Sequence, residues 1–282
     1  MTAPLHIACL QTRPMATMSA AIDEALPMAK AAADAGAKML FLPEYCGGLV
    51  SDGARLHPPA APEEDHAVLG AMRDFAAKHQ IWISVGSVAV SSGDKIINRG
   101  FMIDDAGDVF GRYDKIHLFD VNLNDGAVYR ESDTVERGGL AVLHDTPLAS
   151  VGHTICYDLR FPALYRDLAQ SGAQILTCPA AFTKMTGEAH WHILNRARAI
   201  ENTCFMASTC AVGAIPGGGE SYGHSLVVDP WGKVLADGKT EPGVVHAELD
   251  LDLVANTEAR IPSLDHDRPY RLHRNRPQSE VA

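Results

Sequence analysis

Residues 151–165 read VGHTICYDLRFPALY, an apolar run that reaches a single cysteine and is soon followed by a proline. The run before Cys156 is typical of a buried strand, and Pro162 suits the first turn of a helix. Cys156 therefore falls at a predicted strand-to-helix turn, with Asp158 and Arg160 just after it. A cysteine that only fills a core needs no such neighbours, whereas a nucleophile held clear of a sheet does.

Strand-like and helical patterns alternate on both sides of this turn. Apolar residues at helical spacing predict helices over residues 19–35, 62–79, 162–170 and 187–203. Buried runs predict strands over residues 5–11, 38–44, 81–90, 173–182 and 204–212. Turn residues predict hairpins at 104–107, 144–147 and 229–232. Pro27 lies inside the first helical pattern, so we expect a kink or a late helix start there.

The mixture of hairpins and crossover helices argues against a purely parallel sheet. It predicts an α/β fold, a four-layer α-β-β-α sandwich in which two mixed sheets pack together beneath outer helices. No repeat or convincing linker interrupts the sequence, so residues 1–282 are interpreted as a single domain. The charged, proline-containing segment from about residue 255 is expected to be a C-terminal arm.

Composition and charge argue against several classes of protein. A net charge of -11 disfavours non-specific binding of nucleic acid, which needs a basic surface. No run approaches the roughly 18 apolar residues of a membrane span, and the N-terminus lacks the pattern of a secretory signal. The 6 cysteines are scattered and form no CxxC pair, as expected of a reduced, cytoplasmic protein.

Three chemically useful residues each follow a predicted strand. Glu44 follows MLFLP, Lys115 follows VFGRYD and Cys156 follows ASVGHTI. Taken singly, each has an ordinary explanation as a surface charge or a core cysteine, but strand ends are where α/β folds place their chemistry. Together they could supply a general base, a cation that stabilises an oxyanion, and a thiol nucleophile.

A histidine offers an alternative base, since the segment HTIC places His153 near the cysteine. His153 lies within the predicted strand, three positions before Cys156, so its side chain should point to the opposite face. We therefore predict that His153 is not the partner of the thiol.

Longer segments around these residues resemble the signature regions of the nitrilase superfamily, the carbon–nitrogen hydrolases. The similar segments are FLPEY, RYDKIHLFD, ICYDLRFPALYRDLAQSGAQIL, PAAFTKMTGEAHWHILNRARAIEN and SYGHSLVVDPWGKV. The resemblance extends from residue 5 to about residue 270, and the motifs match in order, spacing and flanking sequence. It implies a Glu-Lys-Cys triad on an α-β-β-α sandwich.

The resemblance also implies roles at single positions of this chain. Glu44 would be the general base, Lys115 the cation at the oxyanion and Cys156 the nucleophile. The backbone N–H of Tyr157 would complete the oxyanion hole. The segment YRESDTVERG resembles the region of a second active-site glutamate, which would be Glu131. Its implied work is to orient Lys115 and to help position the substrate.

The branch with deaminated glutathione amidase and omega-amidase is the one most resembled, through HLFDV, CYDLRFP, AFTKMTGEAHW, RARAIEN and YGHSLVVDPWG. The implied substrate is a small-molecule amide that carries a carboxylate, and no cofactor is implied. An N-carbamoyl amino acid hydrolase, or another amidase or nitrilase of the superfamily, is the alternative enzyme. A catalytically silent binding scaffold is the alternative outside enzymes. Ala163 departs from the pattern, since relatives often carry glutamate there.

A carboxylate-bearing substrate needs a cation, and a bidentate arginine serves best. Arg160, four residues after the nucleophile, is the first candidate, although a salt bridge with Asp158 or Asp167 is an equal alternative. Thr183 and Lys184 follow a predicted strand and could line the same pocket, or Lys184 could be an exposed charge.

No metal site is expected, because His190 and His192 stand two residues apart on a predicted helix and point in different directions. The glycines at 217–219 do not form a phosphate loop, since no Lys-Ser/Thr pair follows them. Members of the superfamily commonly assemble, so the resemblance implies a homodimer or a higher homo-oligomer. The suggested contact segments are RFPALYRDLAQ and the C-terminal arm.

Overall fold

Two mixed β-sheets form the centre of the protein. The computed structural model describes residues 3–52, 55–123 and 128–275. In chain order the strands are β1 (Leu5–Gln11), β2 (Met39–Phe41), β3 (Ala60–Ala61), β4 (Trp82–Ser92), β5 (Lys95–Ile103), β6 (Val109–Asp114), β7 (Asp120–Asn122), β8 (Val128–Arg130), β9 (Val135–Glu136), β10 (Val142–Asp145), β11 (Ser150–His153), β12 (Ile175–Thr177), β13 (Phe205–Ser208), β14 (Val212–Ala214), β15 (Glu220–Tyr222), β16 (Leu226–Val228), β17 (Val234–Asp237) and β18 (Gly243–Leu249).

The helices lie between and after these strands. They are α1 (Met18–Asp34), α2 (Ala67–His79), α3 (Pro162–Gln170), α4 (Lys184–Thr186), α5 (His192–Asn202) and α6 (Asp252–Arg260). Short 3₁₀ turns cover Glu63–Asp65, Glu131–Asp133 and Cys156–Arg160. A π-helical turn at Gly187–Trp191 joins α4 to α5.

The strand order shows that both sheets are mixed. The first sheet runs β18-β1-β2-β4-β5-β6, with β3 beside β4 and β9 beside β5. Its strands β1, β2 and β4 are parallel, whereas β18, β5 and β6 are antiparallel to their neighbours. The second sheet runs β10-β11-β12-β13-β16-β17, with a parallel centre and antiparallel flanks. Two ribbons pair β7 with β8 and β14 with β15.

The packing partners of successive side chains along the strands show how the layers stack. Ile7 and Cys9 of β1 pack with residues of the second sheet, among them Val151. Their neighbours Ala8 and Leu10 belong to a separate cluster with the alanines of α1. The outer face of the second sheet packs against α3 and α5. Because successive side chains point to opposite faces of a strand, the layers are α-β-β-α, and the predicted four-layer sandwich is confirmed.

The first helix begins slightly earlier than predicted. The hydroxyl of Thr17 accepts a hydrogen bond from the backbone N–H of Ala20, so the helix starts at Met18. It continues through Pro27 to residue 34, and the late start considered for it is wrong. Gly36, with a φ of 93°, follows the last turn as expected of a helix end.

The second helix begins later than predicted. α2 starts at Ala67, so the prediction of a helix from residue 62 is wrong for its first turns. The carboxylate of Glu63 lies 3.0 Å from Arg99 and 2.6 Å from Arg112. Both arginines are far away along the chain, and their ion pairs accompany a 3₁₀ turn instead of an α-helical one.

The later helices match the prediction more closely. α3 spans Pro162–Gln170, as the proline at its first position predicted. The predicted helix over residues 187–203 is present as the π-helical turn and α5, which ends where Thr203 becomes left-handed. Within the described ranges, no helix is long and apolar enough to cross a membrane.

The C-terminal segment starts within a helix. The arm expected from about residue 255 begins inside α6, and residues 261–275 form neither helix nor strand. Tyr270 and Leu272 are exposed there. Residues 276–282, also part of the predicted arm, lie outside the described residues.

Gly86 allows β4 to approach the segment that leads to Glu44. A Cβ at Gly86 would lie 2.1 Å from the Leu42 carbonyl oxygen and 2.4 Å from that of Pro43. We expect Gly86→Ala to lower the free energy of unfolding by about 3 kcal/mol, because backbone atoms cannot move aside cheaply. Gly70→Ala is the control, since a Cβ there meets nothing within 4 Å and should stabilise α2 by about 1 kcal/mol. Urea denaturation measures both variants, and equal shifts would contradict the prediction.

Candidate active site

Glu44 lies beyond the end of β2 in a buried turn. Tyr45, the next residue, takes a left-handed conformation with a φ of 51°. Ser87 holds this turn, because its hydroxyl accepts from the Tyr45 N–H and its carbonyl accepts from the Cys46 N–H. The Glu44 carboxylate is buried, so it needs hydrogen-bond partners inside the protein.

Lys115 directly follows β6 and is also buried. Its backbone N–H donates to the Asn98 carbonyl at 3.0 Å, which extends the pairing with β5 by one residue. Its own carbonyl accepts from the Gly138 N–H at 2.7 Å. The backbone is therefore anchored on both sides, and the side chain is 2% exposed.

Cys156 opens the 3₁₀ turn that follows β11. Its N–H donates to the Pro179 carbonyl at 2.8 Å, and its φ is 47°. A non-glycine residue in this region costs on the order of 1 kcal/mol and persists only where its surroundings impose it. The chain therefore turns sharply at the thiol, as the sequence predicted for a strand-to-helix turn.

The ammonium group of Lys115 lies between two carboxylates. Its Nζ is 2.8 Å from Glu44 Oε1. The same Nζ is 3.0 Å and 2.9 Å from the two carboxylate oxygens of Glu131, which begins the 3₁₀ turn Glu131–Asp133. Segments that are 71 and 16 residues apart from Lys115 thus meet at one buried cation.

Further donors fix the two carboxylates. The Ala181 N–H donates to Glu44 Oε2 at 2.9 Å, and Asn98 Nδ2 donates to Glu44 Oε1 at 2.9 Å. The Phe119 N–H donates to Glu131 Oε2 at 2.6 Å. Asn98 was not predicted from the sequence, although an amide inside the apolar strand segment KIINRGFMI was a signal for it.

Burial and neighbouring charges determine the protonation states of Cys156, Glu44 and Lys115. Burial raises the pKa of the Cys156 thiol, Glu44 adds to this rise, and Lys115 opposes it. Burial alone would raise the pKa of Glu44, but Lys115 together with the Ala181 N–H and the Cys156 thiol more than offsets burial, so the pKa is lowered. Burial also acts to lower the pKa of Lys115, but Glu131 and Glu44 raise it well above its usual range. The resting site therefore holds a neutral thiol, a charged Glu44 and a charged lysine.

These groups lie at a cavity of about 220 Å³. Of the predicted site residues, the structure brings six to its wall: Glu44, Lys115, Glu131, Cys156, Tyr157 and Thr183. Aromatic and aliphatic side chains form much of the rest, among them Phe119, Phe182 and Ile215. Lys184, Arg55 and Arg130 also line it, so cations face the same space as the thiol.

A family model describing carbon–nitrogen hydrolases matches residues 6–259, which include all of the groups just described. The chain belongs to the carbon–nitrogen hydrolase family. It is an amidase of the nitrilase superfamily, and the bonds on which it acts are C–N bonds other than peptide bonds.

Named relatives agree with this assignment. A protein of Synechocystis named deaminated glutathione amidase is 37% identical over 273 residues, which are 93% of this chain and 98% of that protein. The crystal structure of the NitFhit protein of C. elegans has a TM-score of 0.86 at 33% identity, covering 95% of this chain and 66% of that longer one. Nit3 of Saccharomyces cerevisiae, described as a nitrilase superfamily member, has a TM-score of 0.81 at 26% identity, covering 93% and 96%.

The structure of this hydrolase does not bring Arg160 to the cavity wall. Its guanidinium lies 5.5 Å from the ring centre of Phe182 and 6.0 Å from that of Tyr157, and both rings line the cavity. Its Nη2 is 3.3 Å from His190 Nδ1. No salt bridge joins it to Asp158 within the described residues, because the contacts of that carboxylate go elsewhere. Arg160 therefore contacts two rings of the cavity wall without lining the cavity itself.

His153 lies on the other side of its strand, as the alternation predicted. Its Nδ1 is 3.3 Å from His144 Nε2, and its ring stacks on Tyr113 at 5.4 Å. Burial, with a smaller contribution from His144, lowers the pKa of His153 to about 3. A neutral imidazole in these surroundings is not placed to serve the thiol of the hydrolase.

One group of potential metal ligands occurs within the described residues, and the sequence analysis missed it. His192, His224 and Asp237 each offer a ligand atom within 4.8 Å of the others. His224 Nδ1 lies 2.9 Å from Asp237 Oδ1, whereas atoms bound at about 2.1 Å to one tetrahedral zinc ion lie farther apart than that. Lys239 Nζ also donates to Asp237 at 2.7 Å, so hydrogen bonds account for the group.

Proposed function

We propose that this hydrolase cleaves the amide bond of a small substrate carrying a carboxylate, through a thioester on Cys156. One observation carries the proposal: a buried thiol, a charged base and a charged lysine line one cavity together with further cations. Deaminated glutathione is the first substrate we propose, and an amide of the α-ketoglutaramate type is the second. The Synechocystis relative named deaminated glutathione amidase supports this order.

In the proposed first step, Glu44 accepts the thiol proton while the sulfur of Cys156 attacks the amide carbon. The charge that develops on the carbonyl oxygen is stabilised by the Lys115 ammonium and the backbone N–H of Tyr157. A base is needed because burial raises the pKa of the thiol, so little thiolate exists beforehand. Glu131 also holds the Lys115 ammonium, through the bonds at 3.0 Å and 2.9 Å.

In the proposed second step, the C–N bond breaks and Glu44 returns its proton to the departing amine or ammonia. The acyl group remains on sulfur as a thioester. Water then enters, Glu44 removes its proton, and the hydroxide equivalent attacks the thioester carbon. The C–S bond breaks, the free carboxylic acid leaves, and the proton returns to the thiol.

We propose that cations at the cavity mouth bind the substrate carboxylate. Lys184 Nζ lies 2.9 Å from Glu220 Oε1, and Arg55 Nη2 lies 3.3 Å from Asp133 Oδ2. Both ion pairs are largely exposed, so solvent weakens them and a substrate carboxylate can replace the protein partner. Thr183, beside Lys184 on the wall, is proposed to contribute a hydroxyl.

Changing these cations should affect binding of charged substrates only. We expect Lys184→Met and Arg55→Met each to raise KM for a carboxylate-bearing amide about tenfold, the effect of one lost charged hydrogen bond. The KM of the same amide with its carboxylate esterified should stay unchanged. Steady-state kinetics on the two substrates measure the difference, and a parallel rise in both KM values would contradict the proposal.

A substrate panel tests the function as a whole. It contains deaminated glutathione, an omega-amide of a keto acid, an N-carbamoyl amino acid and a simple nitrile. Cysteinylglycine released from the first, or ammonia from the second, supports the proposal. Ammonia with carbon dioxide would identify the carbamoyl alternative, and turnover of the nitrile alone would identify a nitrilase. No turnover of any compound by the folded protein would favour a binding scaffold.

We also propose a homodimer or a larger homo-oligomer. Ile193 and Ile200 of α5 lie seven residues apart and so on one helix face, and they are 69% and 50% exposed. Trp231, which is also exposed, precedes Gly232, and a Cβ at Gly232 would lie 2.5 Å from Ile200. An apolar patch of this kind is typical of a contact surface. Light scattering tests the proposal, and the mass of a monomer would contradict it.

A reducing, cytoplasmic location is proposed for the protein. All of its cysteines are described, and none forms a disulfide. Proteins of oxidising compartments commonly use disulfides, whereas this chain relies on a large core. Cell fractionation tests the proposal.

A further inference from the structure

Asp158 is a fully buried carboxylate that receives hydrogen bonds from two separate segments. Its Oδ1 accepts from the backbone N–H of His117 at 3.0 Å and lies 2.7 Å from the Nδ1 of the same residue. Its Oδ2 accepts from the Tyr113 hydroxyl at 2.7 Å and from the Ile155 N–H at 2.8 Å. Each oxygen therefore has two partners, which satisfies the carboxylate without water.

These partners flank the reactive residues. Tyr113 and His117 stand two positions before and two positions after Lys115. Ile155 directly precedes Cys156, and the carboxylate itself follows that cysteine by two positions. One side chain thus binds the chain on both sides of the lysine and just before the nucleophile.

The two segments belong to different sheets. Lys115 extends β6 of the first sheet, whereas Cys156 follows β11 of the second. Packing between sheets is non-directional, so it does not set the spacing of two polar groups to a fraction of an ångström. Directional hydrogen bonds can, and a misplacement of about 1 Å can cost on the order of 10²-fold in rate.

Tyr113 and His117 are both held in place as hydrogen-bond partners of Asp158. Burial, helped by the nearby Asp158, raises the pKa of Tyr113, so the phenol stays protonated and continues to donate. The ring of His117 stacks on Phe161 at 3.5 Å, which holds its nitrogen at the carboxylate. Asp158 is absent from the residues that line the cavity. It therefore acts through its neighbours and not on the substrate.

We propose that Asp158 is a positioning residue that keeps Lys115 and Cys156 aligned across the two sheets. The inference rests on the proposed function of those two residues. It assigns to Asp158 the alignment on which proton transfer and oxyanion stabilisation depend.

The test compares Asp158→Asn and Tyr113→Phe with a matched control elsewhere in the fold. Gln11 is also fully buried: its Oε1 accepts from the Ser225 N–H, and its Nε2 lies within 3.0 Å of three backbone carbonyl oxygens, but it does not line the cavity. The variant Gln11→Met removes those bonds without touching the site. Four quantities are measured for each protein: kcat, KM, the rate of Cys156 alkylation by iodoacetamide, and the melting temperature.

We expect Asp158→Asn to lower kcat on the order of 10²-fold with little change in KM, since alignment and not binding is lost. Alkylation of Cys156, followed by mass spectrometry, should slow because Glu44 and Lys115 no longer face the thiol correctly. Tyr113→Phe should lower kcat and the alkylation rate by smaller factors. Gln11→Met should keep the wild-type kcat and alkylation rate even if its melting temperature falls.

A folded Asp158→Asn variant with the wild-type kcat and alkylation rate would overturn the proposal. The proposal would also be overturned if Gln11→Met lowered kcat and the alkylation rate as much as Asp158→Asn does. If Asp158→Asn does not fold, Tyr113→Phe decides, and unchanged rates in that variant would overturn it. The alkylation rate needs no amide substrate. If the wild-type protein hydrolysed none of the compounds in the substrate panel, the proposed function would be wrong. The alkylation rate of Cys156 would still measure the alignment.

Discussion

Replacement of Cys156 by alanine is expected to reduce kcat for the amide substrate by about 10⁴-fold or more, because no covalent intermediate can form. KM should change little, since the thiol contributes to the reaction and hardly to binding. The variant should fold, because a methyl group at this position leaves only a small cavity beside Tyr157. Product release under single-turnover conditions measures the loss.

Cys204→Ala is the matched control for this result. Cys204 is also buried, burial raises the pKa of its thiol to about 12, and it is absent from the cavity wall. We expect kcat of that variant to equal the wild-type value. Activity that survived in Cys156→Ala would overturn the thioester mechanism, and loss of activity in both variants would point to a general effect of removing a buried sulfur.

Replacement of Lys115 by methionine should damage both the chemistry and the fold. Loss of the oxyanion cation is expected to lower kcat by about 10²- to 10³-fold. The same change leaves Glu44 and Glu131 buried without the ammonium that lies 2.8 Å and 2.9 Å from them. Breaking a buried ion pair from one side costs about 3–5 kcal/mol of folding free energy.

A double variant separates these two effects. Lys115→Met with Glu131→Gln removes one of the two uncompensated carboxylates, so part of the lost stability should return. Activity should not return, because the oxyanion still lacks its cation. Chemical denaturation and steady-state kinetics on both variants measure the two quantities. If activity recovered together with stability, the role of Lys115 would be structural only.

Features that depend on neighbouring residues could be predicted from the sequence. α3 was predicted at its observed bounds, because proline restricts φ at a helix start over a distance of one residue. The strand over residues 5–11 was predicted because its apolar residues form a short run of the kind found in buried strands. Glu44, Lys115 and Cys156 were located at strand ends by the same local patterns.

Features that depend on distant partners could not be predicted. The start of α2 was misplaced because Glu63 pairs with Arg99 and Arg112, which are 36 and 49 residues away. Arg160 was predicted to contact the substrate, but it lies against the rings of Tyr157 and Phe182 and is not among the residues that line the cavity. Neither the sequence spacing nor the charge of Glu63 and Arg160 shows which distant side chains they contact.

Local propensity and apolar patterning predicted most of the helices and strands and their arrangement in layers, whereas the roles given to Glu44, Lys115 and Cys156 came from the resemblance to the nitrilase superfamily and stay predictions. The folded protein alone shows the distances at which Lys115 meets Glu44 and Glu131, the approach of Arg55 to the cavity, and the link that Asp158 makes between the two sheets. Those contacts link side chains far apart in the chain. Their distances are set by the packing of one sheet on the other, which no short stretch of sequence encodes.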